Sequence, residues 1–352
     1  LKFEKISNLY MQATRRLKIL NETHNIKKDI YYASNLPDDF VERINLYDAV
    51  YTRHSFPLNI IDKIKVPIFA QHEVPYKTMS ILNSKLIYLT DKSYIKYYPN
   101  AEEQINFAKY SYGKKLQDRK YDVLFMGRYA KNKNEYALNK YKINIIQFVL
   151  YKFYSLNMKK NVNNFLTSEK LISLIKGIGI CKIFFKDVFS FYWHLIHSIR
   201  NTRREIIIKQ LLKLADNGYK VCLVIDKSSR HRIKKHKNID FFYDKNLIEI
   251  EKLMSNSKTT VVHSNTVNSI YDERFISSLY TGSIPLTEPY PQYKKFFKSF
   301  YLNFFFDFTK DSLYSAVKNV IINLEKYNKS KKLINKNCNA QLSEYKFKNI
   351  FK

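Results

Sequence analysis

Short runs of β-branched and aromatic residues alternate with longer amphipathic segments along the first part of the chain. Runs of the first kind are typical of strands, and apolar residues spaced three and four positions apart are typical of helices. The pattern predicts strands over residues 29–34, 49–53, 66–71 and 86–90, with helices over 38–46 and 92–98 between them. Strands that alternate with helices favour a parallel, doubly wound sheet.

The same alternation returns later, with strands predicted over residues 121–126, 220–225, 240–243, 259–263 and 283–287. Two Rossmann-like α/β domains in tandem are the simplest interpretation. The first covers residues 1–115 and the second covers residues 116–330. The first residue is not Met, so we leave open that the first domain is incomplete at its start.

The stretch between the predicted strands at 121–126 and 220–225 is too long for a single crossover helix. Its apolar residues follow a helical period at 144–157, 168–175 and 194–215. We therefore predict a helical insert over about residues 130–200 of the second domain. A last amphipathic helix is predicted over 312–324, and residues 331–352 form a polar tail.

Composition indicates a folded protein, since 45% of the residues are hydrophobic and 16% are aromatic. The formal net charge of +30 has two interpretations. It indicates a nucleic-acid or anionic-membrane partner, or it reflects a coding bias that spreads Lys over every solvated face. We favour the second, because Lys far outnumbers Arg and no single basic block dominates.

The cysteines give no sign of a disulfide framework or a zinc site, because they are three in number and far apart, at Cys181, Cys222 and Cys338. No secretory signal opens the sequence, and a cytoplasmic location is expected. The most apolar segment, residues 177–199, is interrupted by charged residues, so we expect that it does not cross a membrane. Its aromatic residues either pack the helical insert onto the second sheet, which we favour, or lie on a membrane surface.

The segment 271–288 places a helix before a short apolar strand. Ser269 and Asp272 have capping-box spacing, which predicts a helix start near Ile270, and Gly282 is expected to end the helix. Because the preceding segment 259–263 resembles a buried strand, the helix start should lie at the carboxyl edge of the sheet, where open α/β folds bind ligands. Backbone N–H groups there, with Arg274, suit a diphosphate.

A helical period divides this helix into two faces. The face that packs is predicted to contain Phe275, Ile276, Leu279 and Tyr280. The face left free to bind is predicted to contain Glu273, Arg274, Ser277 and Ser278.

The run Asp-Glu-Arg-Phe-Ile-Ser-Ser-Leu-Tyr-Thr-Gly-Ser-Ile-Pro-Leu-Thr-Glu at 272–288 resembles carbohydrate-transferring enzymes of the GT-B fold. It is most similar to their spore-maturation-protein-like group (glycosyl transferases group 1), and the resemblance extends over roughly residues 45–325. Segment 121–127 resembles the first strand and Gly turn of the C-terminal domain, and the segment from residue 199 resembles an Arg-rich helix.

The resemblance implies two Rossmann-like domains and transfer of a sugar from a nucleotide-sugar donor, without an obligatory metal and without a cofactor. Gly127 would let the backbone approach the donor, and Arg128, Arg204 and Arg274 are the candidate cations. Asn265 lies in the loop before the donor helix. Two glutamates typical of many GT-B enzymes are replaced here by Ser269 and Ser277, so Glu273, one helical turn before Ser277, is the candidate for the ribose contact.

The acceptor side is expected in the first domain, where His72 or Glu73 follows a predicted strand and is the candidate catalytic base. The expected partners are the nucleotide-sugar donor and a glycan, lipid-linked or protein acceptor of the cell envelope. Contact of the aromatic segment 182–204 with an anionic membrane is a further hypothesis, and no nucleic acid is expected.

Two alternatives stay open. The two serines at glutamate positions favour a catalytically silent GT-B relative that acts as a binding module. The net charge favours a basic nucleic-acid-binding protein, although no recognised base-reading motif is present. An epimerase is excluded, because the 6 glycines form no dinucleotide-binding fingerprint.

Overall fold

The chain folds around two parallel sheets in a computed structural model that describes part of the sequence. The described residues are 36–47, 49–53, 59–71, 84–90, 100–103, 114–127, 188–263, 272–298 and 302–330. The predicted strand at 29–34, the helix at 92–98, most of the insert and the tail at 331–352 lie outside them.

The first sheet has four parallel strands in the order β1-β2-β3-β4. They are β1 (Val50–Arg53), β2 (Ile68–Gln71), β3 (Leu86–Thr90) and β4 (Ala101–Glu103), and helix α1 (Phe40–Ile44) precedes them. The predicted strands at 49–53, 66–71 and 86–90 and the helix at 38–46 are confirmed. β4 was not predicted, because three residues with two glutamates carry no apolar pattern. The core of this part is formed by Phe40, Ile44, Ile61, Ile64, Ile68, Ala70, Leu86 and Tyr88.

The second sheet has five parallel strands in the order β7-β6-β5-β8-β9. The strands are β5 (Tyr121–Met126), β6 (Val221–Ile225), β7 (Ile239–Tyr243), β8 (Ser257–Val262) and β9 (Ile284–Thr287). The helices are α2 (Val188–Asp216), α3 (Leu247–Ser255), α4 (Glu273–Thr281), α5 (Pro291–Phe297) and α6 (Ser312–Ile322). All five predicted strands are confirmed.

The order of these strands reverses beside β5. The chain runs outward from β5 to β6 and β7, and then returns to place β8 on the other side of β5. Such a reversal leaves a crevice at the carboxyl ends of the two strands that flank it. The ends of β5 and β8 therefore mark the place where this fold binds ligands.

Helices cover both faces of the second sheet, which explains why most residues of its central strands are buried. All five residues of β6 are buried. Helix α6 packs against α2 and against β5 and β8, while α4 packs against α3, β8 and β9. The predicted helix at 312–324 is therefore confirmed as part of the sheet's cover, and the predicted 194–215 helix is longer, beginning at Val188.

Helix α4 begins later than predicted. Asp272 has an extended backbone and its side chain accepts a hydrogen bond from the N–H of Arg274, at 2.8 Å, so it is the N-cap. The predicted start near Ile270 is wrong, because Asp is as effective a cap as Ser and stands directly before the helix. Gly282 ends the helix as predicted, in the left-handed conformation with φ of 71°.

The predicted free face of α4 is also wrong in part. Ser277 and Ser278 are buried, whereas Tyr280 is 36% exposed. Ser277 faces the neighbouring helix α3, where its Oγ donates to Glu251 at 3.1 Å, and Ser278 Oγ donates within α4 to the carbonyl of Phe275 at 2.8 Å. A helix enclosed by α3, β8 and β9 has little free surface, so small polar side chains are buried on it.

Arg119 links several elements at the amino edge of the second sheet. Its guanidinium is buried and donates to the carbonyls of Ser257 at 2.9 Å, Thr281 at 3.2 Å, Lys114 at 3.1 Å and Met254 at 3.4 Å. These carbonyls belong to the turn before β5, the α3–β8 turn and the end of α4. One side chain therefore fixes three connections around β5.

We expect Arg119→Met to lower the free energy of unfolding by about 3 kcal/mol or more, since each hydrogen bond of a charged donor contributes about 1.5–3 kcal/mol and the carbonyls lose their partner. Lys115→Met, at an exposed neighbour, is the control and should change it by about 0.5 kcal/mol at most. Denaturant unfolding of both variants is the measurement. Equal values would contradict the structural role of Arg119.

Candidate functional site

Three strands of the second sheet end at its carboxyl edge, and each is followed by one candidate site residue. Gly127 follows β5, His263 follows β8 and Glu288 follows β9. Helix α2 reaches the same edge, because its end at Asp216 precedes β6 and Arg203 lies about 20 Å back along the helix. The start of α4 contributes Arg274.

Arg203 and Glu288 form a buried ion pair at this edge. The side chains are 2% and 0% exposed, and Arg203 Nη1 donates to Glu288 Oε2 at 3.2 Å and to the hydroxyl of Tyr290 at 3.1 Å. The Tyr290 hydroxyl donates to the same carboxylate oxygen at 2.6 Å. Burial opposes the charge of Arg203, yet Tyr290 and Glu288 raise its pKa above the usual value. The guanidinium is therefore a fixed positive charge.

His263 is held by the other oxygen of the same carboxylate. Its Nδ1 lies 2.5 Å from Glu288 Oε1, and its ring packs edge-on against Phe308, which also lies under the Arg203 guanidinium. Burial lowers the pKa of His263 to about 4, against the opposing effect of Glu288 and with the help of the positive Arg204 and Arg203. A neutral ring that donates from Nδ1 leaves Nε2 as a hydrogen-bond acceptor.

Gly127 allows a second arginine to approach the end of β5. A Cβ at this position would lie 3.2 Å from Phe125 Cζ and 3.3 Å from Arg204 Nε. Both distances are shorter than most Cβ contacts, so a side chain here would require Phe125 and Arg204 to move by a few tenths of an ångström. The glycine therefore serves the close approach of a cation to the crevice between β5 and β8.

Arg274 joins the site from the first turn of α4. Its Nη1 donates to the carbonyl of His263 at 3.1 Å and lies 3.5 Å from Asp272 Oδ2. The N–H of Arg274 is occupied by Asp272 Oδ1. The positive charge offered to a ligand here thus comes more from the guanidinium than from the helix N-terminus.

Several buried nitrogens of these residues have no partner among the residues that the structure describes. They are Arg203 Nε, Arg203 Nη2, His263 Nε2 and Arg274 Nε. Buried polar atoms in folded proteins almost always have partners. Guanidinium N–H groups suit the oxygens of a phosphate, and a neutral Nε2 accepts from a hydroxyl. The site is equipped for a ligand with both groups.

The structure brings together three of the predicted donor-binding residues, Gly127, Arg204 and Arg274. Ser277 faces Glu251 of α3, and Glu273 begins α4, although its side chain is not described. Four other predicted site residues lie outside the described residues, namely His72, Glu73, Arg128 and Asn265. Their roles stay predictions.

Sequence reasoning missed Arg203, His263 and Glu288. A signal was present for each, because Arg203 precedes the selected Arg204, His263 ends a predicted strand and Glu288 directly follows one. Nothing in the sequence showed that the three side chains meet.

The described residues form neither a metal-binding cluster nor a membrane-spanning helix. No group of three or more His, Cys, Asp or Glu residues there is placed to hold a metal ion. No helix within the same part of the chain has the length and apolar character needed to cross a membrane. Of the aromatic segment 182–204, the side chains up to residue 200 lie outside what the structure describes.

No protein-family model matches the sequence, and no curated protein sequence matches it significantly. Several solved structures are similar in fold at low identity. An α-glucosyltransferase in complex with UDP and a 13-mer DNA containing a central A:G mismatch has a TM-score of 0.51 and 8% identity, over 94% of this chain and 90% of that chain. The T4 phage β-glucosyltransferase has a TM-score of 0.49 and 10% identity, over 98% and 92%.

The first of these similarities shows the fold. The chain has the predicted α/β architecture of the GT-B class, with Rossmann-like parallel sheets. The narrower similarity to the spore-maturation-protein-like group stays a prediction, as does the domain boundary at 115/116. The expectation that nucleic acid is not a partner is contradicted, because the solved α-glucosyltransferase of this fold holds DNA.

The buried state of His263 predicts a pH effect on stability. Above pH 6.5 the ring is neutral in folded and unfolded chains alike. Between pH 6.5 and the folded pKa of about 4, the unfolded chain takes up a proton that the folded protein excludes, so stability falls as the pH falls. The loss attributable to this residue should approach about 3 kcal/mol near pH 4.

The measurement is the free energy of unfolding against pH for the parent and for His263→Gln, which retains a polar side chain. The parent should lose stability more steeply below pH 6.5. Parallel curves for the two proteins would show that His263 is not held neutral by its surroundings.

Proposed function

We propose that this chain is a glycosyltransferase that binds a nucleoside diphosphate sugar at the carboxyl edge of its second sheet and transfers the sugar to nucleic acid. Binding of the nucleoside diphosphate sugar is supported by three arginines near the crevice between β5 and β8, namely Arg203, Arg204 and Arg274. Buried guanidinium N–H groups of Arg203 and Arg274 lack partners among the described residues. A diphosphate supplies the oxygens and the negative charge that such a site needs.

The reaction requires stabilisation of the leaving group. An acceptor hydroxyl oxygen forms the new bond to the anomeric carbon, the bond from that carbon to the diphosphate oxygen breaks, and its electron pair leaves with the diphosphate. Fixed positive charges in a water-excluded site stabilise this developing charge more strongly than mobile groups do. Arg203 is suited to this role, because Glu288 and Tyr290 prevent it from reorienting.

The acceptor proton goes to a general base, for which His72 or Glu73 of the first domain is our candidate. His263 is placed differently. Its neutral Nε2 is suited to accept a hydrogen bond from a hydroxyl of the donor, either on the ribose or on the transferred sugar. This contact would replace part of the recognition that many GT-B enzymes assign to a glutamate at the position of Ser277.

Nucleic acid as the acceptor is supported by two observations. The net charge of +30 opposes binding of other cations and favours polyanions. A solved α-glucosyltransferase of the same fold was captured with UDP and DNA together. Since the interior of a DNA duplex offers no free hydroxyl, the acceptor is expected to be a base that carries one.

A binding module without transfer activity is the second candidate. It is favoured by Ser277, which is buried against α3 and offers no carboxylate to a ribose. Incubating the protein with labelled nucleoside diphosphate sugars and with duplex DNA, with and without a hydroxyl-bearing base, separates the two. Binding of nucleotide without transfer of label would favour the module, and failure to bind any nucleoside diphosphate would contradict both.

Arg274→Ala should weaken binding of a nucleoside diphosphate by about 10- to 150-fold, because a charge-assisted hydrogen bond contributes about 1.5–3 kcal/mol. Lys295→Ala, which removes an exposed charge from α5, is the matched control and should bind like the parent. Isothermal titration with UDP measures the affinity, and thermal unfolding checks that both variants fold. Equal affinity in both variants would remove Arg274 from the site.

A further inference from the structure

The connection between β6 and β7 concentrates positive charge more than any composition bias requires. Residues 227–237, which we call the basic crossover, have the sequence Lys-Ser-Ser-Arg-His-Arg-Ile-Lys-Lys-His-Lys. They contain 6 Lys or Arg in 11 positions and no acidic residue, whereas the chain has 61 Lys or Arg in 352 residues. A bias that spreads lysine evenly would not produce this density or exclude acids.

The basic crossover is held in place by a few internal contacts. Ile233 is buried in the core of the second sheet, and the guanidinium of Arg230 lies 4.1 Å above the ring of Phe241 and donates to the carbonyl of Ile233 at 2.7 Å. At its far end, His236 lies 3.3 Å from Asp216. The segment is therefore anchored at its middle and at its end, which fixes the course of the residues between.

Four lysines of the basic crossover point to solvent, namely Lys227, Lys234, Lys235 and Lys237. In the described part of the chain, none of the four forms an ion pair. Other lysines of the same domain do, for example Lys258 with Asp122 and Lys213 with Asp311, both at 2.7 Å. The positive charge of the basic crossover is thus not neutralised by the neighbouring carboxylates.

The path of the β6–β7 connection determines where these charges lie on the surface. Because β6 and β7 are parallel, the connection starts at the carboxyl edge of the sheet and returns to the amino edge. It spans the length of a five-residue strand, about 17 Å. Its start lies beside the candidate donor site, since β6 is the direct neighbour of β5 and adjacent strands are about 5 Å apart.

We infer that the basic crossover binds the phosphate backbone of nucleic acid and leads it toward the donor site. The inference rests on the proposed function for its choice of acceptor. A duplex strand carries one phosphate per about 3.4 Å of axis, so a row of lysines about 17 Å long spans several phosphates. An anionic membrane fits less well, because Ile233 is buried and Phe241 is covered by Arg230, which leaves no apolar group here to enter a bilayer.

The test uses the full chain with Lys227, Lys234, Lys235 and Lys237 changed together to Gln. The matched control changes four exposed lysines to Gln, namely Lys310 before α6, Lys318 on it, and Lys326 and Lys329 after it. Both variants lose four positive charges, so they differ only in where the charge is lost. Binding to a short fluorescent duplex of random sequence is measured by anisotropy over a series of salt concentrations.

The crossover variant should bind the duplex at least about tenfold more weakly than the parent, and its plot of log affinity against log salt should be flatter by about one for each lysine that contacts a phosphate. The control should lose clearly less. Titration with UDP should give the same affinity for all three proteins, because the donor site is unchanged.

Other outcomes would overturn the inference. Equal losses in both variants would mean that net charge alone attracts the duplex. A parent that binds UDP but no duplex would contradict the nucleic-acid acceptor together with the crossover's role, whereas a parent that binds the duplex but not UDP would contradict only the proposed donor site. Binding to anionic vesicles is measured for the same proteins. If the crossover variant lost vesicle binding but kept duplex binding, the crossover would be assigned to a membrane instead.

Discussion

The carboxyl edge of the second sheet depends on one buried positive charge. Arg203 is almost fully enclosed, and a guanidinium without compensation would be too costly to hold there. Glu288, Tyr290 and Phe308 compensate it through an ion pair, a hydrogen bond and a cation–π contact. Since these groups come from the end of β9, the turn after it and the segment before α6, the charge fixes the relative positions of three connections.

The contacts that stabilise Arg203 leave some polar atoms of Arg203 and His263 without a partner among the described residues, and these atoms can bind a ligand. Glu288 has two oxygens, and it uses one for Arg203 and the other for His263. Arg203 therefore keeps Nη2 and Nε for other partners, and His263 keeps Nε2. A neutral histidine, a carboxylate and a guanidinium sum to no net charge, so the added positive potential comes from Arg204 and Arg274. Arg274 shares its charge with Asp272, 3.5 Å away, so the excess positive charge at the crevice is smaller than the number of guanidinium groups.

Local sequence pattern was sufficient for most of the fold. The strands of the second sheet are short runs rich in β-branched and aromatic residues, which makes each of them visible in the sequence. Helix α3 was missed although Asn246 and Glu249 form a reciprocal capping box, whose spacing is present in the sequence. The faces of α4 were misassigned because burial of Ser277 depends on the neighbouring helix α3. The ion pair of Arg203 with Glu288 joins residues 85 positions apart, and no local period reveals such a contact.

Net charge and charge distribution carry different information about partners. A total of +30 is compatible with lysine spread by a coding bias, and on that ground nucleic acid was not expected. The structure separates the charges into two classes. Arg203, Arg204 and Arg274 are enclosed to different degrees near a crevice, where salt screens them little, while the four lysines of the basic crossover are exposed to screening by salt. Binding through the first class depends on shape and desolvation, and binding through the second depends on ionic strength. The transfer that we propose would use this division, because the exposed charges attract a polyanion without committing the buried site to it.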